Sequence, residues 1–96
     1  MTEQGSVQVA DAPERSRFEI TVDGALAGFA VYRLRPGRIT FVHTEIDDAY
    51  AGRGLGGRLA RAALDDVRAR GLAVRPDCPF IKSWIAKHPD YADLVV

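Results

Sequence analysis

Polar and apolar positions alternate along the first half of the chain, and helical spacing takes over in the second. From Arg17 to Asp23, Phe18, Ile20 and Val22 are apolar while Arg17, Glu19, Thr21 and Asp23 are polar, the period-two pattern of a strand with one wet face. Asp23-Gly24 is a hairpin turn signal, and Leu26–Arg35, rich in Ala, Val, Phe and Tyr, supplies the partner strand. Pro36-Gly37 closes that run. Arg38–Ile46 follows as a third strand, with Ile39, Phe41, His43 and Glu45 on one face and Thr40, Val42, Thr44 and Ile46 on the other. The spacing predicts an antiparallel three-strand meander joined by local turns.

After a glycine-rich turn the period changes. Leu55, Leu59, Ala63 and Val67 recur every three to four residues, and Arg58, Arg61, Asp65 and Arg68 mark the opposite, wet face, so a helix runs from near Gly54 to about Arg70. Gly71 terminates it. Leu72–Pro76 is then a short strand, and a helical connection from the third strand makes the two parallel through a right-handed crossover. Pro79 marks the first position of a second helix whose apolar residues are Phe80, Ile81, Trp84 and Ile85, and His88-Pro89 ends it. Leu94-Val95-Val96 is a candidate last strand. The order β-β-β-α-β-α gives a mixed α/β (α+β) fold. Residues 1–16 lack periodicity and are expected to be a flexible tail, with Val7 and Val9 as the only hint of an edge strand; residues 17–96 form the single domain.

Composition narrows the function. Thirteen basic residues balance thirteen acidic ones in 96, which argues against a general nucleic-acid binder. A lone cysteine, Cys78, excludes an internal disulfide framework and a C-x-x-C metal site. Asp47 and Asp48 suit turn capping better than metal ligation, since no His or further carboxylate is suitably spaced, and no metal is expected. No apolar stretch is long enough to span a membrane, and no signal-peptide core is evident; the expected location is cytoplasmic, as a monomer or weak homodimer.

The chemistry concentrates in Gly52-Arg53-Gly54-Leu55-Gly56-Gly57-Arg58. A glycine turn opening a helix leaves the first backbone N–H groups aimed at one spot, and the helix dipole makes that spot attractive to phosphate. From Gly52 to Pro76 six arginines face only Asp65 and Asp66, so the turn lies in a locally basic segment. Nucleoside triphosphate hydrolysis is disfavoured, because a P-loop needs a lysine here and none occurs before Lys82. The ends of the third and fourth strands, His43–Ile46 and Asp77–Cys78, should converge on this turn, as strand ends do in α/β ligand sites.

The turn resembles the R/Q-x-x-G-x-G/A signature of the GNAT superfamily of N-acetyltransferases, with Gly54 and Gly56 at its two small positions and Ala51 where Arg or Gln is usual. Together with His43-Thr44-Glu45, Pro76-x-Cys78-Pro79-Phe80 and His88-Pro89-x-Tyr91, it resembles the very small, YjdJ-like group of that superfamily over roughly residues 18–94. The resemblance implies a minimal GNAT-type core that takes acetyl-CoA as co-substrate, with the pantetheine arm between two splayed parallel strands and the pyrophosphate on the glycine turn. The implied cofactor contacts are Ile46, Gly52, Arg53, Gly54, Leu55, Gly56, Gly57, Arg58, Phe80 and His88. Glu45 and His43 are the candidate bases that would free an acceptor amine of its proton, or else hydrogen-bonded sheet residues. Cys78, at the mouth of a helix, is a candidate acyl acceptor or a small buried space-filler. His88 and Tyr91 are candidate proton donors to departing CoA, or helix-end packing. Full-size members carry acceptor-binding helices between their first two strands, where this chain has only Gly24. Two functions remain: an N-acetyltransferase acting on a primary amine (protein lysine, N-terminus or small amine), or an acyl-CoA-binding module with little turnover.

Overall fold

The computed structural model describes residues 6–96. Five strands and two helices appear in the order β1 (Val7–Ala12), β2 (Arg17–Val22), β3 (Ala25–Arg35), β4 (Arg38–Ile46), α1 (Leu55–Ala69), β5 (Ala73–Pro76) and α2 (Pro79–Lys87), with short 3-10 turns at Pro13–Arg15, Asp48–Tyr50 and Pro89–Leu94. The strands form one sheet in chain order; β1 to β4 are antiparallel, and β4–β5 is parallel. The meander, the β-α-β unit and the second helix are those the hydrophobic pattern predicts.

The N-terminal segment departs from its expected role. Residues 7–12 are not part of a tail but pair with β2 along their whole length, from Val7 opposite Val22 to Ala12 opposite Arg17. Val7 and Val9 pack on the core, and Ala12 is buried in it. Asp11 supplies the anchor: its carboxylate accepts a hydrogen bond from the Tyr32 hydroxyl at 2.6 Å and an ion pair from Arg70 at 2.7 Å. Residues 1–5 of the expected tail lie outside the described residues. Because β1 exists, the link between the first two strands is residues 13–16 rather than Gly24, which turns the β2–β3 hairpin. The candidate last strand is also smaller than expected: Pro89–Leu94 is 3-10, and Val95 makes one parallel bridge to Val74.

A second departure lies within β4. Val31 and Tyr32 are adjacent on β3, but their partners are His43 and Phe41, so Val42 is an extra residue, a β-bulge. A bulge shifts the alternation by one. Ile39 and Phe41 point into the core, and beyond the bulge Thr44 and Ile46 share their side, opposite core residues Ala30 and Gly28. His43 and Glu45 therefore lie on the outer face, not on the Ile39–Phe41 face that simple alternation gives them. Both helices and the 3-10 segment pack on the inner face, where Phe18, Ile20, Phe41, Leu59, Leu64 and Ile81 are among the fully buried side chains. The outer face bears no helix among the described residues.

Candidate functional site

Strands β4 and β5 pair only from Arg38–Ala73 to Phe41–Pro76. The Cys78 amide then donates to the Phe41 carbonyl at 2.8 Å, and the chain turns into α2 at Pro79. Pro76 has no N–H to continue a ladder, and Pro79 has the fixed φ that begins a helix. Strand β4 runs on from Val42 to Ile46 without β5 beside it. The parallel pairing thus stops at the last residue of β5, at the end where α1 and α2 begin.

The glycine turn fills that end. Asp47 Oδ1 accepts from the Ala49 amide at 2.9 Å and starts the 3-10 turn that leads to Ala51. Gly52 and Gly54 have φ of 80° and 71°, and a Cβ on either would meet nothing within 4 Å. They are glycines for backbone conformation. Gly54 caps α1 without a side chain, and the first turn of α1 holds no acidic residue. The amides of Leu55, Gly56 and Gly57 have no acceptor within the helix. The Arg58 amide differs: it donates to the Gly54 carbonyl at 3.3 Å, so Arg58 offers its side chain rather than its backbone. Arg53 lies over the Tyr50 ring, 5.4 Å from its centroid.

Gly56 and Gly57 are glycines for another reason. A Cβ on Gly56 would lie 2.8 Å from Phe80 Cζ, and one on Gly57 would lie 3.4 Å from Trp84 Nε1. The two helices start side by side because these positions lack side chains. Phe80 remains 41% exposed next to this turn, while Leu55 is buried and can contribute only its amide. Gly52, Gly54 and Gly57 also satisfy the G-x-G-x-x-G spacing. Among the described residues, however, one strand pair of the sheet is parallel, not the doubly wound architecture in which that pattern binds dinucleotides.

On the outer face His43 Nε2 and Glu45 Oε1 are 3.1 Å apart, each side chain 60% exposed. A carboxylate only accepts, so Nε2 donates and the imidazole orients Glu45. Phe29, itself under the Arg17 guanidinium, stands beside them with its ring 6.4 Å from that of His43. Cys78 is on the other side of β4, 2% exposed, its sulfur 3.3 Å from Thr44 Oγ1. Sequence reasoning passed over Thr44, because without the bulge its side chain faces away from the core. The structure brings together the glycine turn and Phe80, leaves Ile46 packed beside Gly28, and keeps Cys78 apart from the His43–Glu45 pair.

His88 and Tyr91 are tied to the helices. The His88 ring stacks on Trp84 with centroids 3.8 Å apart, and its Nδ1 donates to the Trp84 carbonyl at 2.7 Å, leaving Nε2 outside that bond. The Tyr91 hydroxyl donates to Asp65 at 2.6 Å and accepts from Arg61 at 3.2 Å. The Asp65 hydrogen bond, with burial adding to it, raises its pKa. Tyr91 thus holds its proton more firmly than an ordinary tyrosine. Among the described residues no group of three or more His, Cys, Asp or Glu could hold a metal ion.

This geometry has relatives. The family model for GCN5-related N-acetyl-transferases matches residues 17–94. Protein NATD1 of Gallus gallus is 34% identical over 92 residues, a match covering 93% of this chain and 84% of the chicken protein. The Mus musculus protein of the same name is 32% identical over 87 residues, covering 88% and 79%. In fold, the chain is similar to the solution structure of a GCN5-like protein from Staphylococcus aureus, with a TM-score of 0.71 at 24% identity over 93% of this chain and 87% of that one.

Proposed function

The chain belongs to the GCN5-related N-acetyltransferase family, and on that premise we propose that it moves an acetyl group from acetyl-CoA to a primary amine. One observation carries this reading: β4 runs on past the end of β5, beside a helix start that has free amides, two arginines and no acid. A slot opened between the end of β5 and the free stretch of β4 would admit an extended, uncharged arm, and such a helix start holds a pyrophosphate. The amides of Leu55, Gly56 and Gly57 would hold the phosphates, with Gly52 and Gly54 shaping the turn and Arg53 and Arg58 adding charge. Ile46 and Phe80 would flank the arm, and His88 Nε2 would lie on the α2 side. Acetyl-CoA supplies an activated acyl group; the protein's part is to place it and to deprotonate the amine.

Glu45 is the proposed base, with His43 fixing its orientation. The amine reaches them from the outer face, loses a proton to Glu45 and attacks the acetyl carbon; as the bond to the CoA sulfur breaks, the nitrogen gives up its extra proton and the departing thiolate takes one up to leave as CoA thiol. Cys78 sits across β4 with a buried sulfur, which supports direct transfer over an acyl-cysteine route and gives Cys78 the role of lining the inner wall. The expected outcome is that Glu45→Gln lowers kcat by about a hundredfold with unchanged acetyl-CoA affinity. Cys78→Ala should keep turnover, and mass spectrometry of the wild type with acetyl-CoA alone should show no added acetyl group. A hydroxylamine-labile acetyl adduct lost in Cys78→Ala would reverse the assignment.

A second reading, an acyl-CoA-binding module, draws on the four-residue link 13–16, which puts no α-helix over the outer face. Free-thiol release from acetyl-CoA in the presence of an amine pool separates the two: amine-dependent release supports the enzyme, and binding without release supports the module.

A further inference from the structure

From a basic cavity on the outer face we infer that the acceptor is an acidic peptide, its carboxylates on a cluster of arginines and its amine at Glu45. The inference rests on the transferase reading for the fate of the amine, but not for the binding of the peptide.

Alternation places Arg33 and Arg35 of β3, Arg38 of β4 and Arg75 of β5 on one face: Arg35 is opposite Arg38, and Arg33 and Arg75 both flank Thr40. The intervening positions Ile39 and Val74 are buried on the inner face. The four guanidiniums line a cavity of about 390 Å³ that Val42 bounds at the bulge. Among the described residues one carboxylate, Asp77, joins them, and it pairs with Arg75 at 3.1 Å. Arg38 Nε is buried without a hydrogen-bond partner, the sole such side-chain atom among the described residues. A buried guanidinium N–H without an acceptor is costly. Four like charges also repel, while the chain's net charge is zero, so the excess is local. A carboxylate entering the cavity would offset that repulsion, since guanidinium forks match carboxylates.

Position and polarity choose the class of ligand. His43 and Glu45 continue on the same face, three and five residues beyond Thr40, or roughly 10–17 Å at the usual strand rise. A small zwitterion is too short to touch both ends. An extended peptide covers that distance in about three to five residues. The face is also polarised, with arginines at one end and Glu45 at the other. A peptide with Asp or Glu near an amine complements it, whereas a uniformly anionic polymer running toward the site would meet Glu45.

The test uses the full-length protein, two fluorescein-labelled peptides and two readouts. One peptide carries four acidic residues placed three to five positions from a single lysine; the other has alanines in their place. Fluorescence anisotropy should show the acidic peptide binding at least about tenfold more tightly at low salt, the advantage shrinking as NaCl is added. The double variant R33Q/R35Q changes two exposed side chains and should remove most of that advantage, both in binding and in kcat/KM for acetylation. Equal affinity for the two peptides, or a preference that survives R33Q/R35Q, overturns the inference. So does a single-stranded oligonucleotide that displaces the acidic peptide at a lower concentration than the peptide itself. If acidic peptide binds as described but no peptide is acetylated, the transferase reading fails and the peptide site stands.

Discussion

Three glycines near the site respond differently to substitution, because each is glycine for a different reason. Gly28 is closed in by backbone: a Cβ there would lie 2.5 Å from the Glu45 carbonyl oxygen and 2.5 Å from Ile46 Cδ1. Gly28→Ala must push the end of β4 outward, and it should cost about 1–3 kcal/mol in urea unfolding. Gly54, with φ of 71° and open space around it, meets only conformational strain, so Gly54→Ala should cost about 1–2 kcal/mol. Gly56 faces the movable end of Phe80 and the free amides of α1. Gly56→Glu therefore brings a carboxylate to the proposed pyrophosphate site while a ring can swing aside. It should abolish acetyl-CoA binding by calorimetry yet unfold within about 1 kcal/mol of wild type, since an acid at a helix start is itself favourable. Retained affinity would place the phosphates elsewhere.

Strand β1 belongs to the fold through side chains far away in sequence. Tyr32, Asp11, Arg70 and Asp66 form a connected set: the tyrosine hydroxyl on Asp11, and Arg70 between Asp11 and Asp66 at 2.7 and 2.8 Å. Burial, reinforced by the hydrogen bond to Asp11, pushes the pKa of Tyr32 from 10.0 up to about 12. The folded state thus favours the protonated phenol. That contribution is fully present below pH 10 and is lost as pH rises through the folded value near 12. Urea unfolding should show stability declining across that window, and Tyr32→Phe should flatten the decline. A residual slope is expected from Tyr91, whose pKa is raised in the same direction by Asp65. A chain shortened to start at Arg17 would strip this strand from β2, leave Tyr32 without its acceptor, and unfold more easily.

At the scale of the whole molecule, one face of the sheet holds the core and both helices, and the other lies beside the slot proposed between β4 and β5. A ligand seated in that slot joins two strands and two helix starts, so it should stabilise the domain as a unit. At a hundredfold excess over Kd, acetyl-CoA should add about 2.7 kcal/mol and raise Tm by roughly 10–20 °C. Amide exchange should slow most in residues 42–46 and 54–57; protection confined to the outer face near Arg33 would contradict the proposed pose. The local pattern of the sequence was enough for β4, whose bounds it matched at Arg38 and Ile46, for α1 and its glycine start, and for the Pro79 opening of α2. These are set by residues adjacent in the chain: alternation, helical spacing, turn glycines and a proline. Three matters were decided only by packing. Strand β1 depends on partners such as Arg70, 59 residues from Asp11. The bulge at Val42, which puts His43 and Glu45 outside and Thr44 against Cys78, exists only in the register between β4 and β3. The arginine cavity draws on three strands whose charges are scattered in sequence. Periodicity records how one element is buried, whereas register and face belong to pairs of elements and take shape only when those pairs meet.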